Sequence, residues 1–344
     1  MHSWPWSRRL LIGAVASVLA LAQSACGGGE GSAGRVTIGI GGQSLLVYLP
    51  TTLARQLGYY QAEGLDVRIE DLQGGSKALQ ALQGGSVDVV SGFYDHTIQM
   101  QAKRRELTAF VNMLRYPSLV LAVSPRTTRD IRSIGDLKGA TVGVTAPGSS
   151  TDFFLKYLLV KHGLKADDAA VQGVGGEATA VAAMENGKVD AAVMIDPAFS
   201  FLQKRAGADK VRVLSDTRTV RGVEQEFGVS TYPAAVLYST SDWVGKNKET
   251  AARLARAITR TLAWVQRHSP QEIAAKMPAE YAAGDAEVYV HAIERAKAAF
   301  SPDGTIHMDG AEAVHGVLKR FNPEVAGAKI DLSRTFTNEF LAAR

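Results

Sequence analysis

Cysteine is almost absent from this sequence of 344 residues, which contains only Cys26. This residue follows an apolar N-terminal run, so we assign it to a processing signal and not to the folded part of the chain. If Cys26 is lipidated or lost, the mature fold has no disulfide bond, no thiol nucleophile and no cysteine-based metal site. The seven histidines show no HExxH or comparable ligand spacing, so we predict no metal site.

Long apolar runs and blocks of like charge are also missing. The formal net charge is +4, and the one basic cluster, Lys103-Arg104-Arg105, is typical of a solvated helix end. This pattern argues against a nucleic-acid-binding protein. The apolar run from Leu10 to Ala22 is about a dozen residues long, whereas a membrane-spanning helix needs about 20. We therefore interpret the run as a signal and not as a permanent anchor.

The first 26 residues have the pattern of an export signal. Arg8 and Arg9 precede the apolar run, and the small residues Ser24 and Ala25 precede Cys26. The arrangement resembles a bacterial lipoprotein signal, although Gln23 stands where leucine is usual, and simple cleavage is the alternative. Residues 27–34 are rich in glycine and predict a flexible tether. We expect a periplasmic protein, either anchored through lipid on Cys26 or free.

Two segments of the chain have nearly the same pattern, LQGGSVDVVSG at 82–92 and MENGKVDAAVM at 184–194. In each, an apolar helix ends at a glycine turn, and Val-Asp then leads into a strand. Asp88 and Asp190 begin their strands at the end remote from any cleft, so we interpret them as structural. The repeat predicts two successive α/β units, and the length after residue 26 suffices for two domains.

Predicted strands and helices alternate through both units, which favours mainly parallel sheets covered by helices. Apolar strands at 118–124 and 234–239 follow the first and second unit and predict two crossovers at a hinge. We therefore predict one lobe from residues 35–122 plus 236–344 and a second from 123–235. Predicted C-terminal helices, which should pack on the first lobe, lie at 246–267, 284–300, 309–320 and 332–342.

At this point the sequence resembles a known family, the type II periplasmic solute-binding proteins of the nitrate/sulfonate/taurine and thiamine-pyrimidine-precursor group. The resemblance covers about 35–245. It is carried by Gly58-Tyr59-Tyr60, Glu63-Gly64-Leu65-Asp66-Val67, Gly74-Gly75-Ser76, 82–88, Ile134-Gly135-Asp136-Leu137-Lys138-Gly139 and Asn186-Gly187-Lys188-Val189-Asp190. It implies a two-lobed α/β fold that holds a small molecule between the lobes and closes by a hinge. It also implies an ABC permease and its ATPase as partners; we expect a monomer.

Ligands of open α/β sheets bind beyond the carboxyl ends of strands, which selects six loops here. These are 41–44, 74–76, 92–96, 148–151, 175–177 and 196–197. The residues predicted to bind ligand are Gln43, Ser44, Tyr48, Gly75, Ser76, Phe93, Tyr94, Asp95, His96, Tyr116, Ser149, Ser150, Thr151, Glu177 and Asp196. The alternative is structural, because hydroxyl residues and Asp95 at such positions are also typical helix caps, and Phe93 is also a typical core residue.

Two ligand classes remain open. Helix N-termini in three of these loops favour an organic anion such as a sulfonate, taurine-like compound or carboxylate, and Arg115 and Arg221 are candidates to pair with it. The Phe93-Tyr94-Asp95-His96 sequence, with Glu177 and Asp196, favours instead an aromatic or pyrimidine-type heterocycle that carries hydrogen-bond donors. Further candidate walls of the cleft are Phe199 and Tyr232. We expect loops 92–96 and 195–197 to face each other across the hinge.

Enzyme functions fit the sequence less well than binding. A branch with this fold synthesises the thiamine pyrimidine, but that branch depends on a cysteine-rich motif and this chain has only Cys26. Ser149 or Ser150 with His96 and Asp95 lacks the sequence of a nucleophile elbow, so a catalytic triad is not predicted. We predict a binding protein with no enzyme activity and no cofactor. A ligand-sensing module on the same fold is the alternative of another class.

Overall fold

The computed structural model describes residues 34–341, so the predicted signal, Cys26 and nearly all of the tether lie outside the described residues. The strands are β1 Gly34–Ile40, β2 Leu65–Asp71, β3 Val89–Phe93, β4 Leu107–Asn112, β5 Leu119–Val123, β6 Thr141–Val144, β7 Ala170–Gly173, β8 Ala191–Ile195, β9 Val213–Asp216 and β10 Ala235–Thr240. The helices are α1 Leu49–Gln56, α2 Tyr59–Ala62, α3 Gly75–Gln83, α4 Asp95–Ala102, α5 Ser150–Lys161, α6 Ala178–Glu185, α7 Ala198–Ala206, α8 Val220–Phe227, α9 Ser241–Lys246, α10 Lys248–Arg267, α11 Pro270–Lys276, α12 Ala286–Ala296, α13 Met308–Phe321 and α14 Pro323–Gly327.

The first sheet contains five strands in the order β2-β1-β3-β10-β4. Strands β1, β2 and β3 are parallel, and β10 returns antiparallel to both of its neighbours. Apolar residues on both faces of the central strands, such as Ile38, Ile40, Val89 and Val90, are buried. This burial is typical of a sheet covered by helices on both sides, as the alternating pattern predicted.

The second sheet repeats this plan in the order β7-β6-β8-β5-β9. Strand β6 pairs in parallel with β7 and β8, while β5 runs antiparallel to β8 and β9. All five residues of β5 are buried, which explains its continuous apolar sequence. The two similar sheets confirm the predicted two-lobed α/β fold class.

The chain passes between the sheets twice, once between Asn112 and Leu119 and once between Phe227 and Ala235. We call the parts built on the first and second sheet the first lobe and the second lobe. The boundary predicted after residue 122 differs from the pairing, because Leu119 and Val123 pair with Ile195 and Ala191 of β8. Strand β5 therefore belongs to the second sheet, and the crossing precedes it.

The C-terminal region is mostly helical, and its longest helix, α10, buries an apolar face that includes Leu254, Ile258 and Leu262. The predicted helix at 332–342 is wrong, because only a single 3₁₀ turn forms at Leu332–Arg334. Beyond it the backbone pairs with the edge strand β4 at Ala109, which competes with continuation of a helix. Between residues 34 and 341 no helix is long and apolar enough to cross a membrane.

Candidate functional site

The carboxyl-terminal ends of the strands in the two sheets meet at a closed cleft. The hydroxyl of Ser44 in the first lobe donates to Glu177 of the second at 2.6 Å. The Ser150 hydroxyl of the second lobe donates to Asp95 of the first at 2.7 Å. The backbone N–H of Leu46 donates to the carbonyl of Asp196 at 2.9 Å. The expected pairing of loops 92–96 and 195–197 is therefore wrong, since the first meets 148–151 and the second meets Leu46.

Asp95 is the buried acid at the centre of this cleft. Its side chain is buried, and burial raises its pKa to about 7, while the hydrogen bond from Ser150 acts in the opposite direction. Helix α4 begins at Asp95 itself and not near Thr97, and its N-cap residue, Tyr94, makes no side-chain capping bond. The alternative in which Asp95 only caps a helix is therefore wrong. Its carboxyl group joins the lobes instead.

His96 lies next to Asp95 and is completely buried. Its Nδ1 lies 3.1 Å from the Tyr238 hydroxyl, and its Nε2 has no hydrogen-bond partner among the described residues. Burial lowers the pKa of His96 to about 4 and raises that of Tyr238 well above its ordinary value. The protonated tyrosine can donate to Nδ1, and we assign the imidazole proton to Nε2 on that basis. His96 is then a neutral donor close to the backbone of Gly148 in the second lobe, an interaction that raises its pKa against the larger effect of burial.

The hydroxyl residues of the cleft do not cap their own helices. Ser149 Oγ accepts the backbone N–H of Ser76 at 3.0 Å and donates to Ser76 Oγ at 3.2 Å. Because Ser76 lies in the first turn of α3, Ser149 of the second lobe caps a helix of the first lobe. Thr151 Oγ1 accepts the N–H of Thr145 at 3.0 Å. The N-termini of α3 and α5 thus approach each other across the cleft.

Aromatic residues predicted at the site divide into two groups. Phe93 and Tyr48 are buried beside the cleft, with their rings edge to face at 6.2 Å. Tyr94 points away from the cleft, because its hydroxyl lies 2.5 Å from Thr335 Oγ1 and its ring packs on Phe336. Its predicted ligand role is wrong for this geometry. Gly75 lies against the imidazole of His96, where an added Cβ would be 3.3 Å from Cε1.

Several predicted charged and aromatic contacts are structural instead. Asp196 accepts from Arg218 at 3.0 Å and from the Ser200 hydroxyl at 2.6 Å, so its carboxylate is already paired. The sequence analysis did not predict the ion pair of Asp196 with Arg218, because no motif between these two residues indicates it.

The other candidate walls and cations also have protein partners or lie outside the cleft. Phe199 packs under Arg218, Tyr232 stacks on Phe227 at 4.5 Å, and Tyr116 is buried in the crossover beside Arg115. Arg115 donates to the Ala298 carbonyl at 3.0 Å. Arg221 is exposed on α8 and lines neither cavity of the cleft.

Open space in the cleft lies at its edge. Only about 20 Å³ remains beside Asp95, Ser150 and Tyr232. A cavity of about 480 Å³, which we call the outer compartment, lies between the lobes where β1, β2, β7 and β8 end. Its lining includes the predicted residues Gln43, Ser44 and Glu177, and also Arg55, Asp71, Ala178, Val181, Pro197, Ala198, Phe201, Arg205, Pro278, Glu280, Tyr281 and Ala283. Arg55, Arg205 and Tyr281 were missed, because they come from helix ends and a C-terminal loop.

The site shows no arrangement for a metal. Within residues 34–341 no group of three or more His, Cys, Asp or Glu side chains could hold a metal ion. The chemistry available at the cleft is therefore hydrogen bonding, from hydroxyls, a neutral imidazole and backbone N–H groups, together with charge in the outer compartment.

Comparison with known proteins adds the following. The family model described as NMT1/THI5 like matches residues 47–273. A solved structure from Bordetella bronchiseptica RB50 is 42% identical and superposes with a TM-score of 0.85, covering 89% of this chain and 95% of the other. The alkanesulfonate-binding protein SsuA of Xanthomonas axonopodis pv. citri, solved with MOPS, is 18% identical with a TM-score of 0.68, covering 88% and 98%. A 4-amino-5-hydroxymethyl-2-methylpyrimidine phosphate synthase of Aspergillus parasiticus is 26% identical over 63% of each chain.

Proposed function

Because the chain belongs to the NMT1/THI5-like family, we propose that it is an extracytoplasmic substrate-binding protein of an ABC importer. It captures a small organic molecule between its lobes by hinge closure and delivers it to a permease driven by an ATPase. The observation that supports this most strongly is the set of hydrogen bonds across the cleft, from Ser44 to Glu177, between Ser76 and Ser149, and from Ser150 to Asp95. Each lobe supplies half of every pair, so a ligand that exchanges for these bonds contacts both lobes at once.

The first ligand class is a small organic anion, namely a sulfonate, a taurine-like compound or a carboxylate. The N-termini of α3 and α5 meet in the cleft and offer positive dipole ends, and Arg55 and Arg205 line the outer compartment. The alkanesulfonate-binding activity in the name of the Xanthomonas protein supports the same class, since that protein shares the fold.

The second ligand class is an aromatic or pyrimidine-type heterocycle, which the buried pair Asp95 and His96 favours. No cation contributes to the pKa shift of Asp95, and its carboxyl group accepts the Ser150 hydroxyl, so a donor of the ligand can replace or join that hydrogen bond. The adjacent His96 Nε2 can donate to a ligand acceptor. Phe93 and Tyr48 lie beside them and could pack on a ring.

An enzyme activity is the less favoured alternative. The alternative is considered because a distant relative, the Aspergillus protein, is named as a pyrimidine phosphate synthase. In this chain the single cysteine, Cys26, cannot form the cysteine-rich motif on which that branch depends. Ser150 bonds to Asp95 and not to His96, whose Nδ1 faces the Tyr238 hydroxyl, so the imidazole is not placed to activate that serine.

A ligand panel tests the proposal. Purified protein is scored by thermal shift and calorimetry against taurine, alkanesulfonates, aromatic carboxylates and pyrimidines, and small-angle scattering reports closure. Binding should raise the melting temperature by linkage. Asp95→Asn should lower the affinity for a donor-bearing heterocycle at least about tenfold, as expected for a charge-assisted hydrogen bond, whereas Asp209→Asn on the surface should not. Absence of binding by every member of the panel would refute both ligand classes.

Export and lipid attachment are proposed from the N-terminal sequence. Cys26→Ser should move the protein from the membrane fraction to the soluble periplasmic fraction if the cysteine carries lipid. Unchanged fractionation of this variant would contradict lipidation and leave cleavage to a free periplasmic protein.

A further inference from the structure

The outer compartment is a cavity distinct from the small space beside Asp95 at the centre of the cleft. Its volume of about 480 Å³ falls in the range of about 300–1,000 Å³ typical of ligand pockets. Part of its wall comes from the loop between α11 and α12, at Pro278–Ala283. That loop lies beyond residues 47–273, which the family model matches.

Two guanidinium groups line the compartment from opposite lobes. Arg55 lies in the last turn of α1 in the first lobe and makes no ion pair or side-chain hydrogen bond with the described residues. Arg205 lies in the last turn of α7 in the second lobe, and its contact with Glu185 is a loose 3.8 Å. Both cations therefore have hydrogen-bond donors available for an anionic group, and an anion that contacts both would join the lobes.

The compartment also contains acids, and these differ in whether their carboxylates already accept hydrogen bonds from the protein. Glu177 accepts two hydrogen bonds from Ser44, and Asp71 accepts the backbone N–H groups of Gln43 and Gln73. Glu280 makes no ion pair or side-chain hydrogen bond among residues 34–341 and stands beside Tyr281. The compartment therefore offers an available carboxylate as well as available guanidinium groups, which suits a ligand of both charges.

The remaining wall is apolar. Val181, Pro197, Ala198 and Phe201 line it from the second lobe, and the ring of Tyr281 contributes from the first. Val181, Ala198 and Phe201 are already buried, with only 2%, 3% and 6% of their surface exposed, whereas Tyr281 is partly exposed. An apolar body on the ligand would therefore pack against an existing apolar wall and bury further surface mainly on the Tyr281 ring.

We propose that the outer compartment binds a small zwitterion with an apolar body, of the kind represented by branched and aromatic α-amino acids. Its anionic group binds between Arg55 and Arg205, its ammonium group lies towards Glu280, and its side chain packs on Val181 and Phe201. This inference rests on the proposed capture of ligands between the lobes. It makes Arg55, Arg205 and Glu280 the specificity-determining residues.

The first experiment measures affinity by calorimetry for L-leucine, L-phenylalanine, 3-phenylpropionate, phenethylamine and taurine. Phenylalanine or leucine should bind, and each analogue that lacks a charge or the apolar body should bind at least about tenfold more weakly. Equal binding of 3-phenylpropionate and phenylalanine would overturn the zwitterion assignment. Failure of both amino acids to bind would overturn the inference as a whole.

The second experiment locates the site with matched variants. Arg55→Gln and Arg205→Gln should each weaken phenylalanine binding about tenfold or more, and Glu280→Gln should weaken phenylalanine but not 3-phenylpropionate. Arg267→Gln and Glu287→Gln, on exposed helix surfaces, serve as controls. Binding lost in Asp95→Asn but unchanged in the Arg55 and Arg205 variants would overturn the inference and leave the proposed function intact. Absence of binding by every compound in both panels would refute both proposed ligand classes too.

Discussion

One carboxylate oxygen of Glu177 accepts two hydrogen bonds from Ser44, from its backbone N–H at 2.8 Å and from its hydroxyl at 2.6 Å. The two residues belong to different lobes and come from the ends of β7 and β1. Both bonds are to an ionised acceptor and are therefore stronger than those between neutral groups. This pair stabilises the closed cleft at the entrance to the outer compartment.

We predict that Glu177→Ala shifts the protein towards the open form. Loss of charge-assisted bonds worth about 1.5–3 kcal/mol should lower the closed-to-open ratio at least about tenfold. Small-angle scattering of the ligand-free protein should show a larger radius of gyration. Asp209→Ala removes an exposed acid of the same lobe and is the control. An unchanged radius in Glu177→Ala would show that the pair does not hold the cleft closed.

The fold could be predicted from the sequence because its signals are local. Strand β6 forms at the predicted residues 141–144, since alternating β-branched residues between turn signals leave little choice of structure. Residues 332–342 were predicted as a helix, but residues 332–341 form one 3₁₀ turn, a single bridge to β4 and further turns, because Ala109 of β4 supplies backbone partners from far away in the sequence. That contact has no local signature.

The candidate site was predicted at the level of loops and not of individual partners. Loops 41–44 and 175–177 do meet, as strand ends of two similar sheets must. The hydrogen bonds between Ser76 and Ser149 and between Asp95 and Ser150 depend on the relative position of the two lobes in the closed form. The local sequence of these loops does not indicate that position. The direction of Tyr94 depends likewise on Thr335, which is remote in sequence.

The opposite pKa shifts of Asp95 and His96 predict a specific pH dependence of stability. The folded state keeps the Asp95 proton up to about pH 7, whereas the ordinary pKa is 3.8, so this group lowers the free energy of unfolding as pH rises between these values. The pKa of His96 falls from 6.5 to about 4, so this group raises the free energy of unfolding across that window. The two effects oppose each other below pH 6.5. The nearby Tyr48, Tyr232 and Tyr238 stay protonated, because burial raises their pKa.

We therefore predict that Asp95→Asn is more stable than the parent protein at pH 8 and similar to it at pH 4. Asparagine can still accept the Ser150 hydroxyl, and it removes a buried charge that costs up to about 4 kcal/mol at pH 8. Urea unfolding at the two pH values measures the difference. Parallel stability profiles of the two proteins from pH 4 to pH 8 would contradict the assignment.

Gly176 is predicted to be required for closure. A Cβ added at this position would lie 2.8 Å from Cδ1 of Leu45 in the other lobe and 3.2 Å from Thr145 Cγ2. Gly176→Ala should therefore disfavour the closed form and weaken ligand binding, with little effect on the stability of either lobe. Gly316→Ala on α13, where nothing lies within 4 Å of the added atom, is the control. Equal compactness of the two variants in scattering would show that Leu45 moves aside at no cost.

Arg218 is predicted to be the ion-pair residue on which stability depends most. Its guanidinium bonds to buried Asp196 at 3.0 Å and to Asp216 at 2.6 Å, and it covers the ring of Phe199. Arg218→Met would leave Asp196 buried without a cation, which costs about 3–5 kcal/mol in such pairs. Urea unfolding should show this loss, and adding Asp196→Asn should recover part of it.

The matched control for Arg218 is an exposed pair. Lys246 and Asp242 lie one helical turn apart on α9, with both side chains more than 70% exposed, so Lys246→Met should cost about 0.5 kcal/mol or less. A small cost for Arg218→Met as well would mean that water or Ser200 solvates Asp196 adequately. If Arg218→Met greatly lowers the free energy of unfolding, it should also disturb the cleft, because the carbonyl of Asp196 accepts the N–H of Leu46 from the first lobe. Arg218→Met should then weaken ligand binding, although Arg218 lines no part of the outer compartment.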